Sequence, residues 1–186
     1  MKRLFDFSFA VLSTVILIIP ILIIAIAVRL TSKGPAFYWS DRVGRYNRIF
    51  KMPKFRSMRI ETPLLASHLL QNLDHQLTPI GSFLRRSSID ELPQLWSIIK
   101  GDMSFVGPRP ALFNQDDLIR LRSERGVHEL LPGLTGWAQV NGRDDISIPE
   151  KVTLDAEYLQ RRSLLFDLKI IWRTALKVLA REGISH

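Results

Sequence analysis

Residues Phe9 to Val28 form an almost unbroken apolar run, relieved only by Ser13, Thr14 and Pro20, and nothing else in the chain constrains its fold so strongly. The run is close to the roughly 20 residues that a membrane-spanning helix needs. It exceeds the apolar core of about 7 to 15 residues in a cleavable signal peptide, and no small-residue cleavage pattern follows it. A membrane protein is therefore expected. Basic residues flank both ends, Lys2 and Arg3 before the run and Arg29, Lys33, Arg42, Arg45 and Arg48 after it. One straight span cannot keep both flanks on the cytoplasmic side, where lysine and arginine accumulate. Pro20 removes a backbone hydrogen bond near the middle of the run and kinks a helix there. Two forms follow: a helix that bends at Ile19-Pro20 and returns to the face it entered, and an ordinary spanning helix with a tolerated proline.

The remainder suits one domain in a chain of 186 residues, so the division expected is a membrane segment over 1–33 and a second unit over 34–186. Ala36 to Val43 and Arg48 to Met58 read as a β-hairpin around turn chemistry at Gly44 to Asn47, with Pro53 confining the second strand to an edge or bulge. That hairpin carries Lys51, Lys54 and Arg56. A helix over Leu64 to Leu73 reads as cover. A charged amphipathic helix is predicted over Phe113 to Leu131, with Leu118, Leu121 and Val127 as its stripe. Leu134 to Arg143 is predicted as an extended piece ending in an Asn141-Gly142 turn. Asp155 to Arg161 reads as part of another helix. The last helix, Leu164 to Arg181, sets Leu165, Leu168, Trp172, Ala175 and Leu179 near one face and Lys169, Arg173, Lys177 and Arg181 along another. Such a pattern suits the surface of an anionic membrane, and equally a solvated helix face.

Chemistry concentrates in Ser87 to Pro110, SSIDELPQLWSIIKGDMSFVGPRP. Asp90 and Glu91 are adjacent acids ahead of a short apolar helix, and Arg109 sits between two prolines that restrict its backbone. Carboxylates can supply a nucleophile and a magnesium ligand, and a fixed guanidinium can clamp phosphate oxygens. The acids also have a structural explanation. Ser88 followed by Glu91 fits a capping box, whereas Asp90 as the N-cap would put Pro93 at the third helical position, where its missing N–H costs nothing. Capping is compatible with catalysis, because a helix N-terminus attracts phosphate.

A formal charge of +8 implies polyanionic company: nucleic acid, lipid head groups or a phosphorylated substrate. Cysteine is absent, which excludes disulfides and thiolate chemistry. His68, His75, His128 and His186 have no metal-like spacing. No Walker A, GxGxxG or GxSxG motif occurs, which argues against P-loop, Rossmann and serine-hydrolase sites. The residues leave open a phosphate-transferring enzyme, an aspartyl phosphohydrolase and a basic membrane-tethered binding module.

In order along the chain, KRLFDF, KFRSM, RRSSIDELPQLWSIIKGDMSFVGPRP, LPGLTGWAQVNGR and LLFDLKIIWRTALKVL strongly resemble the bacterial sugar transferases, the monotopic phosphoglycosyl transferases, in their small minimal form. The resemblance covers essentially the whole chain. It implies a mostly helical α+β fold in which a re-entrant, helix-break-helix membrane segment precedes a small catalytic domain with a β-hairpin and amphipathic interfacial helices. It implies transfer of a sugar 1-phosphate from a UDP-sugar to polyprenyl phosphate, typically undecaprenyl phosphate, with release of UMP, at the cytoplasmic face of the inner membrane. Carried over by motif, Asp90 is the nucleophile and Glu91 its acidic partner, with Mg2+ held at the pair. Lys54, Arg85, Arg109, Arg143 and Asp167 match further positions lining the polar site. Nucleic acid is not an expected partner. Family members often carry Ser-Pro at the membrane break, where this chain has Ile19-Pro20.

Overall fold

The computed structural model describes residues 2–60, 76–142 and 146–180. The architecture is α+β and mostly helical, with one long apolar N-terminal helix and a small sheet. The helix expected over Leu64 to Leu73 lies outside the described residues.

Helix α1 (Lys2–Thr31) has 30 residues, about 45 Å at 1.5 Å per residue. It is long and apolar enough to cross a membrane. Helical conformation persists through Ile19 and Pro20, so the expected break is not a break in secondary structure. Asp6, Ala10 and Val28 are buried, and Leu17, Ile21, Ile24 and Ala25 pack beside the core at spacings of three and four residues. That stripe lies against the rest of the protein, as helical periodicity requires. The other faces expose Leu12, Val15, Ile16, Ile19, Leu22, Ile23 and Ile26.

Both ends of α1 are tied to the same domain. At the N-terminal end Lys2 pairs with Asp167 at 2.5 Å, Arg3 donates to the carbonyls of Ile98 and Ile99, and the Asp6 carboxylate accepts the Phe105 N–H at 3.2 Å. At the C-terminal end Arg56 donates to the Ser32 carbonyl and hydroxyl and to the Lys33 carbonyl. The arginine of KFRSM is thus 5 % exposed and closes the membrane segment onto the hairpin.

Strands β1 (Phe37–Val43) and β2 (Ile49–Phe55) form the expected antiparallel hairpin, with Tyr38 opposite Lys54 and Trp39 opposite Pro53. Tyr46 and Asn47 take positive φ, 55° and 58°, to close the turn. β4 (Ala111–Leu112) pairs with the other side of β1, so among the described residues β2 is an edge strand. Pro53 therefore stands where a missing N–H is tolerated.

Three short elements follow: α2 (Gly81–Arg86), a 3-10 segment (Ile89–Gln94) and α3 (Leu95–Lys100). β3 (Ser104–Val106) then runs parallel to β5 (Gly133–Thr135). The backbones meet so closely beyond β3 that a Cβ on Gly107 would stand 2.3 Å from the Leu131 carbonyl oxygen, and one on Gly133 would stand 2.1 Å from the Gly107 nitrogen. Only glycine fits such an approach. Between these strands α4 (Asp116–Glu124) is shorter than predicted, since Gly126 at φ 72° turns the chain into a 3-10 turn over Val127–Glu129. Leu118 and Val127 are buried, in keeping with the predicted stripe.

The piece predicted as extended up to Arg143 is strand only to Thr135, and α5 (Trp137–Asn141) is helical. Tertiary contact decides this, as one isolated turn has little stability of its own. Trp137 packs against Phe166 at 5.0 Å between ring centroids and donates its indole N–H to Glu157 at 2.8 Å. Helix α6 (Ile148–Arg161) begins earlier than the sequence suggests, with Ser147 as N-cap accepting the Glu150 N–H and Pro149 in the first turn. Helix α7 (Leu164–Ala180) is as expected in extent. Its packed face is Phe166, Asp167 and Ile170, while Leu165 is 80 % and Trp172 65 % exposed. The main core gathers Phe50, Met52, Ile98, Met103, Val106, Tyr158 and Ile170 from both sheets and the helices.

Candidate active site

The acid pair sits on a turn whose form Pro93 dictates. Ser88 precedes it in the left-handed conformation, φ 55°, and makes no side-chain cap bond. Asp90 is the second residue of the 3-10 segment, so both expected capping arrangements are corrected. A regular helix through Pro93 would lose a hydrogen bond. The chain instead uses tighter i→i+3 bonds as far as Gln94 and resumes α geometry at Leu95.

This turn packs on β2, which brings Lys54 between the carboxylates: its Nζ is 2.8 Å from Glu91 Oε1 and 3.8 Å from Asp90 Oδ2. Arg109 approaches Glu91 Oε1 at 3.5 Å through both terminal nitrogens. Asp90 is 7 % exposed. Burial pushes its carboxyl above the usual range, Lys54 pulls it back, Glu91 raises it further, and Arg85 and Arg109 oppose. Burial in turn lowers the Arg85 guanidinium, against the pull of Asp90. Lys54, Arg85, Asp90, Glu91 and Arg109 therefore form one cluster, as anticipated from the motifs.

The Arg109 loop is held from behind by its carbonyls, because Pro108 and Pro110 have no N–H to offer. The Pro108 carbonyl accepts the Gly133 N–H at 2.9 Å, the Arg109 carbonyl accepts Arg122 Nη1 at 2.8 Å, and the Pro110 carbonyl accepts Arg42 Nη1 at 3.2 Å. Arg122 is gripped by Asp155 Oδ2, 2.9 Å from Nε and 2.6 Å from Nη2, and both residues are buried. α4 and α6 thus fix the position of Arg109. On the open side a shallow pocket is lined by Arg42, Met52, Glu91, Gln94, Arg109 and Pro110.

Asp167 stands elsewhere. It is 2 % exposed, pairs with Lys2 and accepts the Tyr158 hydroxyl at 2.7 Å. Burial and the Asp167 hydrogen bond both push the Tyr158 hydroxyl up, so it stays a donor. The structure brings Asp167 to the junction of α1, α6 and α7 rather than to Asp90 and Glu91. Arg143 lies outside the described residues. Sequence reasoning missed Arg42 as a member of the site, and it missed Arg122 and Asp155 as its support. Arg42 read only as a basic flank, and no local pattern marks the other two.

Two adjacent carboxylates suit Mg2+, which commonly takes one or two protein carboxylates and completes its shell with water and substrate phosphate. No group of three or more His, Asp or Glu side chains able to hold a metal occurs among the described residues, so an all-protein cage is not formed there. The cluster can therefore offer a carboxylate nucleophile, a second carboxylate and several cations to one phosphate-bearing ligand.

The model of the family described as bacterial sugar transferase matches residues 1–181. The chain is 41% identical over 188 residues to the uncharacterized sugar transferase EpsL of Bacillus subtilis (strain 168), covering 100% of this chain and 91% of that protein. It is 40% identical to the UDP-glucose:undecaprenyl-phosphate glucose-1-phosphate transferase of Escherichia coli (strain K12), and 37% identical to the undecaprenyl-phosphate galactose phosphotransferase of Salmonella typhimurium. Those matches cover 95% and 98% of this chain but only 40% and 41% of the two relatives. With KFRSM, the acid pair and the proline-flanked arginine meeting at one cluster, and with a match that runs through nearly every residue, the chain belongs to the bacterial sugar transferase family.

Proposed function

We propose that this protein transfers a sugar 1-phosphate from a UDP-sugar to a polyprenyl phosphate, such as undecaprenyl phosphate, through a covalent intermediate on Asp90. The observation that carries the reading is a buried carboxylate, Asp90, beside Glu91 and held among Lys54, Arg85 and Arg109. An Asp90 carboxylate oxygen attacks the sugar-bearing phosphorus, the bond from that phosphorus to the bridging oxygen breaks, and UMP leaves. An oxygen of the polyprenyl phosphate then attacks the same phosphorus and frees Asp90, giving a polyprenyl diphosphate sugar.

Attack of an anion on a diphosphate is repulsive unless its oxygens are neutralised. Lys54 favours ionised Asp90 against the effect of burial, and Arg109 and Arg85 supply positive charge beside the pair. Asp90 and Glu91 would hold Mg2+, which supplies further neutralisation of phosphate charge when bound.

The acceptor is a lipid, and the exposed apolar faces of α1 and α7 support a membrane site for the reaction. Both ends of α1 bond to one domain, which supports their lying on a single face of the membrane, since a hydrocarbon layer of about 30 Å could not separate them without breaking those bonds. The basic residues at both ends support a cytoplasmic location for that face, at the inner membrane. Cysteine labelling at positions 2 and 33 tests this: reactivity from opposite sides would refute it.

The reaction is tested by UMP release from a panel of UDP-sugars with magnesium and polyprenyl phosphate. Asp90→Asn is expected to slow turnover by about a thousandfold or more, and chelation of magnesium to stop it. Turnover near wild type in Asp90→Asn would remove Asp90 from the covalent role.

A further inference from the structure

Arg42 occupies an unusual position for a charged residue. It is partly buried on β1 and shares its pocket with Glu91, Gln94 and Arg109. Its Nε donates to Ser40 Oγ at 3.0 Å and its Nη1 to the Pro110 carbonyl at 3.2 Å. Both acceptors are neutral. No carboxylate lies within 4 Å of Arg42 among the described residues, and Nη2 has no hydrogen-bond partner there.

A guanidinium withdrawn from water without a counter-ion is costly, and a like charge beside it adds to the cost. Burial and the charge of Arg109 push Arg42 down to about 10, against the attraction of Glu91 and Tyr38. The arrangement is completed by an anion that enters the pocket and bridges the two guanidiniums. The two bonds already made fix the plane of the Arg42 fork and leave its Nη2 side for the incoming group. A phosphate, with several oxygens of one charge, matches two guanidiniums that line one pocket.

We propose that Arg42 is a further anion-binding residue of this site, gripping together with Arg109 the phosphate of the nucleotide that leaves the donor. This rests on the transferase reading above. Arg109 is positioned by Arg122 and by Arg42 itself, so the alternative role for Arg42 is purely to hold the Pro110 carbonyl. The two roles differ in what happens when Arg109 is gone.

The test is UMP affinity of the full chain in detergent or nanodiscs, by calorimetry, for wild type, Arg42→Gln, Arg109→Gln and the double variant. Arg42→Gln is expected to weaken UMP binding about tenfold or more, as for loss of a charge-assisted hydrogen bond. It is expected to do so again in the Arg109→Gln background. No further weakening in that background means Arg42 acts only through Arg109, and overturns the proposal. If Arg42→Gln does not fold, Arg42→Lys carries the same comparison, since lysine keeps a donor for Pro110 but loses the fork. A wild-type protein that binds UMP while the Arg42 variants bind it equally well overturns the inference alone. A wild-type protein with no affinity for UMP overturns the transferase reading with it.

Discussion

Two ionic clusters lie on opposite sides of the Arg109 loop, and they are built differently. Behind it, Arg122 and Asp155 form a closed pair with contacts of 2.6 and 2.9 Å. In front, among the described residues, Lys54, Arg42, Arg85 and Arg109 gather around Asp90 and Glu91, at distances from 2.8 to 3.8 Å where ion pairs form. The rear cluster is balanced in charge and finished. Among the described residues the front one carries more cations than anions and has longer contacts, which suits the phosphate-bearing substrates proposed for it. Buried pairs serve stability only when each partner is satisfied within the protein.

Removing one acid from each cluster gives the largest contrast. Asp155→Ala strands Arg122 in the interior and releases the Arg109 carbonyl, so a loss of about 3–5 kcal/mol is expected, read as a lower midpoint of thermal unfolding. Asp90→Ala is expected to unfold no more easily than wild type, because Lys54 stands 3.8 Å from Asp90 and keeps Glu91 as its partner at 2.8 Å. Equal stability losses in the two variants would erase the distinction between the clusters.

A smaller effect concerns pH. As the proposed nucleophile Asp90 must be ionised, so the first half-reaction should fall as pH drops through its raised pKa. Lys54 is the largest charge opposing that rise. Lys54→Met should therefore move the acid limb upward, measured as the pH profile of UMP release. A limb that stays or moves down contradicts the role assigned to Lys54.

The smallest effect belongs to an ion pair outside both clusters. Lys51 and Asp41 are 2.9 Å apart on the hairpin but largely exposed. Lys51→Ala should change stability by less than about 1 kcal/mol. A larger loss would mean that distance alone, rather than burial, sets the worth of these pairs.

The hairpin with its edge proline, the long apolar helix and the extent of α7 were all legible, because each is written in residues a few positions apart. Pro93 was legible as a problem, but its solution was not: a 3-10 turn led by left-handed Ser88 uses neither capping pattern. α5 was misread because the contacts of Trp137 with Glu157 and Phe166 hold a helical turn that its local sequence does not demand. Asp167 was expected in the polar site from the resemblance alone, and its partners in the fold are Lys2 and Tyr158.

By itself the sequence determined the family, the elements with strong periodicity, and the adjacent acids and proline-flanked arginine on which the proposed chemistry rests. Tertiary structure alone decided that Lys54 meets Glu91 across 37 residues, Arg122 meets Asp155 across 33, and Lys2 meets Asp167 across 165. Periodicity and turn chemistry act between near neighbours, so they leave a readable pattern. A charge pair made across the fold depends on where two surfaces come to rest, and neither partner carries a local mark of the other.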